Sequence, residues 1–269
     1  MMNLMKRPDL SVCLDDLRLD AKSAMAQARR LGFRAVDVGA TAGTISPGEL
    51  SETGRRHLLR HLSDLGLRLG SLRGPVSGEG YGSGVGGERR LDSMRAIIRM
   101  ASELRVPVVS TTLGRAGPTD PGGEPRRIRD ALTVLADDAD HLGVTVALET
   151  SGQSAKAMQS LLSEINCAGL AACCDTGAML MRGDDPHAVA ETLPGRIGLV
   201  RARDAVSGTS ENPGYEVSPG QGHLDSPRLL AALFEAGFGG TIVLSRTCGE
   251  NAASDLAAAR RQFEEFLPG

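Results

Sequence analysis

The sequence has no tryptophan, and only two tyrosines and five phenylalanines among 269 residues, which excludes the aromatic platform on which single-stranded nucleic acid stacks. It also lacks a charge excess. Thirty Lys and Arg stand against 33 Asp and Glu, mixed along the chain, and no basic face for nucleic acid is indicated. No apolar run approaches the roughly 20 residues of a membrane span, and the first ten residues, MMNLMKRPDL, contain no apolar stretch of the signal-peptide kind. A cytoplasmic protein without membrane or nucleic-acid partners is expected. The five cysteines (Cys13, Cys167, Cys173, Cys174, Cys248) form no CxxC pair, and their odd count points to reduced thiols. Ser-His-Asp hydrolysis has no GxSxG elbow to use, and no GK[ST] marks a Walker A loop.

What is present is one rhythm repeated. Runs of β type occur at 10–14, 35–40, 67–72, 106–113, 144–150, 170–176, 197–204 and 241–247, with helical spacing in the stretches between them. Several of those helices stop at a glycine, as in RRLGF, SDLGL, HLGV and EAGF, and the next strand begins within a few residues. Strands that are apolar nearly throughout belong to a parallel sheet covered by helices. Eight βα units in about 250 residues is the arithmetic of a TIM (β/α)8 barrel, here a single domain over residues 1–269. A doubly wound sheet is the alternative, because spacing alone does not reveal strand order.

In such barrels the chemistry sits at the C-terminal ends of the strands. Those ends carry Asp15, Asp16, Asp37, Arg73, Thr111, Thr112, Glu149, Asp175, Arg201, Arg203, Asp204, Ser245 and Arg246. Glu149 and Asp175 each follow a run of small or apolar residues, VTVAL and LAACC, so both are expected to enter the barrel mouth. The seventh run, IGLVRARDA, turns abruptly cationic. Alternation places Arg201 and Arg203 on one face and Val200 and Ala202 on the other, and a charge at the end of a buried strand is costly unless paired. The same alternation sends Cys173 inward with Asp175 and Cys174 toward the helices. Cys13 ends the first strand, where it can line the pocket.

These residues carry a resemblance. GFRAVDVGA after the first helix, VALET on strand five, CCDTGAM on strand six, VRARDA on strand seven and PGQGHLDSPRLLAAL beyond it are similar, in order and at barrel spacing, to the sugar isomerases and epimerases of the xylose-isomerase-like barrel superfamily. That superfamily also contains endonuclease IV, whose many zinc ligands and basic DNA face this sequence does not share. The resemblance implies one divalent cation held by Glu on strand five, Asp on strand six, His on strand seven and Glu on strand eight. Glu149 and Asp175 match the first two. Arg201 and Ser245 occupy the third and fourth positions, and Ala178 stands where many members have a further His. A guanidinium offers donors and no lone pair to a cation, so Arg201 is expected to pair with Glu149 and Asp175 in the metal's stead.

The resemblance thus implies isomerase or epimerase chemistry with a rebuilt centre. Glu149 is the expected base, with Arg201, Arg203 or Arg246 stabilising the developing oxyanion, Arg201 being the expected catalytic partner, and Asp37, Arg73, Asp175, Arg203, His223 and Arg246 are the expected substrate contacts. The expected ligand is a small sugar, sugar acid or phosphosugar. No cofactor is expected; residual Mn, Mg or Zn binding through Glu149, Asp175 and His223 is the alternative. Non-catalytic carbohydrate binding and an inert salt-bridge cluster stay open, and self-association is compatible with the sequence. The glycine-rich stretch at 77–90 contains a GxGxxG pattern, but in so long and glycine-saturated a loop it is expected to be a mobile lid bearing Tyr81. Loops at 114–125 and 207–220 are expected to rise beside it.

Overall fold

In the computed structural model, which describes residues 7–114, 124–150, 153–209 and 211–267, the eight apolar runs are strands β1 (Asp9–Cys13), β2 (Ala35–Gly39), β3 (Arg68–Arg73), β4 (Val108–Thr111), β5 (Thr145–Glu149), β6 (Leu170–Asp175), β7 (Ile197–Ala202) and β10 (Thr241–Leu244). They close in the order β1-β10-β7-β6-β5-β4-β3-β2, and each neighbouring pair is parallel. Closure excludes the doubly wound sheet. The helices α1 (Ala21–Arg30), α2 (Glu52–Asp64), α3 (Gly84–Glu103), α4 (Glu124–His141), α5 (Ala155–Ile165), α7 (His187–Thr192), α8 (Ser226–Glu235) and α9 (Ala252–Phe266) alternate with them. A further short helix, α6 (Thr176–Met181), follows β6 directly. No helix among the described residues is long and apolar enough to cross a membrane.

Local chemistry accounts for the helix starts. Asp20, Ser51, Ser154, Asp175 and Asp225 each accept a backbone N–H from the first turn of α1, α2, α5, α6 and α8, respectively, which satisfies donors that a helix cannot bond internally. Few aromatics are available to fill the layer between strands and helices. Methionine and aliphatic side chains fill it instead: Met25, Met94, Met100, Met158, Ile97, Ile98, Leu132 and Leu135 are all fully buried, and the unbranched methionines adapt to gaps that rigid rings would not fit.

Inside the barrel, layers follow from the two-residue period of a strand. Cys13, Val108, Ala147, Cys173, Leu199 and Val243 form an apolar plug separate from the outer core. Two residues further along the same strands, and therefore on the same face, come Ser110, Glu149, Asp175, Arg201 and Ser245. The plug closes the barrel below, and the polar layer above it is the floor of the mouth. Cys174 faces outward against Met179. Burial pushes the Cys13, Cys173 and Cys174 thiols well above the ordinary range, so none is a ready thiolate.

Two segments differ from expectation. Half of the glycine-rich stretch is helix, because α3 begins at Gly84. The other half is anchored: Tyr81 is buried, its N–H bonds to the Leu113 carbonyl at 3.2 Å, and the Arg90 guanidinium lies 5.1 Å from its ring centroid. Arg90 is itself buried and donates to the carbonyls of Ser77, Pro75 and Thr112 at 2.9, 2.6 and 2.7 Å. A free lid is therefore the wrong description; this loop is pinned by one guanidinium. Most of the loop expected at 114–125 lies outside the described residues. The other difference is a small antiparallel hairpin, β8 (Ala205–Val206) with β9 (Tyr215–Glu216), after β7.

Beyond that hairpin, PGQGHLD wraps a buried carboxylate. Asp204 accepts N–H bonds from Ala205, Gly220, Gly222 and Leu224 at 2.8–3.0 Å. The wrap needs a glycine at 222, where a Cβ would collide with the Asp204 carboxylate and sit 2.6 Å from the Ala205 carbonyl. Gly222→Ala should cost about 1–3 kcal/mol in urea denaturation, because the backbone must shift to admit the methyl. Gly48→Ala, where nothing lies within 4 Å, should be nearly silent.

Candidate active site

Strand β7 delivers Arg201 into the floor of the mouth, where it is 3% exposed. Its Nη1 lies 3.2 Å from Asp37 Oδ2, its Nη2 donates to Ser110 Oγ at 3.3 Å, and its Nε faces Glu149 Oε1 at 3.7 Å. Asp37 is in turn held by the Ser71 hydroxyl at 2.5 Å. Burial works against the Arg201 charge, but the Asp37 and Glu149 carboxylates more than offset it and hold the guanidinium protonated. The contact with Glu149 is too long for a hydrogen bond. Both atoms that face each other there, Glu149 Oε1 and Arg201 Nε, are buried without a hydrogen-bond partner among the described residues.

That isolation shapes Glu149. Burial raises its pKa above the ordinary carboxylate range; the Arg201 charge opposes the shift and Asp175 adds to it. A carboxyl group whose proton is held closer to neutrality is suited to proton transfer.

Asp175 belongs to a different pair. Arg203 Nη2 reaches both of its oxygens at 2.8 Å and Nε reaches Oδ1 at 3.1 Å, while Oδ1 also accepts the Ala178 N–H at 2.9 Å. The pairing expected between Arg201 and Asp175 is therefore not the one formed. The register pairs Asp175 with Arg201 across β6 and β7, but Arg203 lies past the end of β7, where Thr176 Oγ1 bonds its N–H and carbonyl, and from there its fork meets the carboxylate in line.

A second acidic node lies above. Glu216, on β9, accepts Arg203 Nη1 and Arg246 Nη1, each at 2.9 Å, the Thr247 hydroxyl at 2.5 Å and the Cys248 N–H at 3.2 Å. Burial alone would raise its pKa, but these bonds and charges outweigh it and hold the carboxyl below its usual value. Arg246 also bonds Asp255 at 2.7 Å. Ser245 donates to Asp16 at 2.6 Å, and Arg73 pairs with Asp15.

Residues 25–265 match the family model of the xylose isomerase-like TIM barrel. The chain belongs to that family. Solved structures share the fold: a xylose isomerase domain protein from Planctomyces limnophilus (TM-score 0.82, 19% identity, 97% of each chain covered), D-psicose 3-epimerase with D-tagatose from Clostridium cellulolyticum H10 (0.78, 15%, 97% of this chain and 100% of that one), and a xylose isomerase-like TIM barrel protein from Mycobacterium smegmatis in complex with magnesium (0.77, 15%, 97% and 96%). No curated protein sequence matches the chain.

Within this xylose isomerase-like barrel, Asp37, Glu149 and Arg201 form one cluster, and Asp175, Arg203 and Arg246 form another through Glu216. Arg73 pairs directly with Asp15 and lies near enough to the first cluster to act on the Asp37, Arg201 and Glu149 charges. His223 is exposed, and its Nδ1 engages the Ser207 hydroxyl and N–H at 2.9 and 3.1 Å, which directs it to the hairpin and away from either cluster. Among the described residues, no three of His, Cys, Asp and Glu converge in a group able to hold a metal ion. Glu216, Ser71 and Ser110 were not singled out from the sequence, whereas Asp16 was among the strand-end residues and is the acceptor of Ser245. Ser71 and Ser110 follow from the inward alternation of β3 and β4; Glu216 has no such signal, because its strand is two residues long.

Proposed function

We propose that the protein is an isomerase of the sugar isomerase/epimerase kind that moves a proton on a small uncharged carbohydrate without a divalent metal. The observation that carries this reading is the facing pair of buried atoms, Glu149 Oε1 and Arg201 Nε, 3.7 Å apart and without a hydrogen-bond partner among the described residues. Glu149 takes a proton from the carbon beside the sugar carbonyl, and the electron pair passes to the carbonyl oxygen. Arg201 meets the negative charge that develops there. The hydroxyl proton on the carbon that lost its hydrogen passes to the former carbonyl oxygen, and the carboxyl, after exchange with solvent, gives a proton to the former carbonyl carbon on the same face, so that the carbonyl moves one carbon along in an aldose–ketose interconversion. Inversion at a single carbon needs a donor on the opposite face, and Ser245, at the position where the resemblance implies a second Glu, has its hydroxyl committed to Asp16.

A divalent metal does not fit these residues. The Arg201 guanidinium stands where a ligand is needed and repels a cation, and both Asp175 oxygens are engaged by Arg203. The charge balance supports an uncharged substrate over a sugar acid or phosphosugar. Arg73, Arg201, Arg203 and Arg246 are each already paired with a carboxylate drawn from Asp15, Asp37, Glu149, Asp175, Glu216 and Asp255, so the group carries no excess positive charge for a permanently anionic substrate. The same complete pairing favours a second reading, carbohydrate binding without turnover.

Solvent deuterium uptake separates the two readings. D-tagatose or D-fructose incubated with the protein in D2O should gain deuterium beside the carbonyl, by NMR, at a rate unaffected by EDTA. Uptake that EDTA abolishes and Mn2+ restores would overturn the metal-free mechanism. Sugar binding without uptake would establish the second reading.

A further inference from the structure

At the opposite end of the barrel, below β1, β2 and β3, a pocket of about 400 Å³ opens between the segments leading into β1 and β2, the start of β3 and the last turns of α9. Four arginines, Arg7, Arg34, Arg68 and Arg260, line it together with two carboxylates, Asp9 and Glu264. Arg68 pairs with Asp9, and Arg260 with Glu264 at 2.6 Å. Arg7 and Arg34 are exposed and have no side-chain partner among the described residues. This contrasts with the mouth, where each of the four guanidiniums has a carboxylate.

One wall of the pocket is held in place by its neighbours. The Arg68 N–H donates to the Arg34 carbonyl at 3.0 Å, so these two side chains leave hydrogen-bonded neighbouring segments. Arg260 is fixed by a 3.0 Å bond to the Leu31 carbonyl and lies over the Phe33 ring, 5.9 Å from its centroid. It fills the space left by Gly32, whose φ of +84° and missing side chain admit the guanidinium against the backbone. A concavity with two unpaired guanidiniums and two anchored ones carries unbalanced positive charge. Such charge is relieved by an anion that accepts several N–H bonds at once.

We propose that this pocket binds a small dianion of the phosphate-monoester or dicarboxylate class, with Arg7 and Arg34 as its principal contacts and Arg68 and Arg260 as its fixed wall. The site is independent of the chemistry assigned to the mouth. Thermal melts at constant ionic strength test it, with inorganic phosphate or succinate replacing chloride. Phosphate should raise Tm by about 2–4 °C, and the double variant Arg7→Ala with Arg34→Ala, both exposed positions, should weaken phosphate affinity at least about tenfold. Arg73→Gln, which alters the mouth, should keep the response. A succinate response equal to that of phosphate would place recognition in charge alone, whereas response to phosphate only would point to a phosphate ester; either supports the site. Tm unchanged relative to chloride, a response intact in the double variant, or a response lost in Arg73→Gln would overturn it.

Discussion

Arg201→Met is expected to destabilise the protein by about 3–5 kcal/mol, the cost of leaving buried carboxylates without their counter-charge, and to lower Tm by roughly 10 °C in a chain of this size. Methionine leaves Asp37, fully buried, and Glu149, 6% exposed, without the cation that both face. Ser71 supplies one hydrogen bond to Asp37 and cannot replace a cation. The effect is electrostatic, so neutralising the acids should reverse it. A triple variant adding Asp37→Asn and Glu149→Gln should recover most of the loss, since a neutral, well-packed set often equals a buried ion pair in stability. Urea denaturation of the single and triple variants measures both. A single variant within about 1 kcal/mol of the parent protein, on that estimate, would mean that Arg201 does not carry the charge balance of the barrel floor.

The parts of this arrangement that were legible in the sequence are those that depend on period. Inward alternation along β5, β6 and β7 put Glu149, Asp175 and Arg201 in the mouth, two residues beyond Ala147, Cys173 and Leu199 of the plug. Strand count and glycine stops led to the closed barrel. What period does not encode is partner choice. Arg201 and Arg203 are two residues apart, yet one reaches across the barrel to Asp37 on β2 while the other meets the neighbouring Asp175, a difference set by where β7 ends and by the Thr176 bonds to the Arg203 backbone. Glu216 was hidden because a two-residue strand has no periodic signature. The stretch at 77–90 read as loop because glycine disfavours helix by about 1 kcal/mol per residue. Tertiary anchoring by Arg90 outweighed that preference.

Glu149→Gln is expected to abolish deuterium uptake, by about 10²–10⁴-fold, the usual contribution of a positioned base, without weakening the fold. The two effects part because Glu149 is placed for proton transfer at some cost in stability. Burial raises its folded-state pKa, with Arg201 opposing and Asp175 adding, so the folded protein binds this proton more tightly than the unfolded chain does. The corresponding stability is fully present below the unfolded value, about 4.3, and is lost as pH rises through the raised folded value. Glutamine never ionises and loses nothing over that range. The variant should therefore gain on the parent as pH rises from about 4 toward neutrality, while Arg201 keeps Asp37 as its partner. Urea midpoints at pH 4, 6 and 8 read the trend. If the variant instead falls further behind with rising pH, the Arg201 charge dominates burial, Glu149 is a stabilising anion, and its carboxylate is too weak a base for the proposed step.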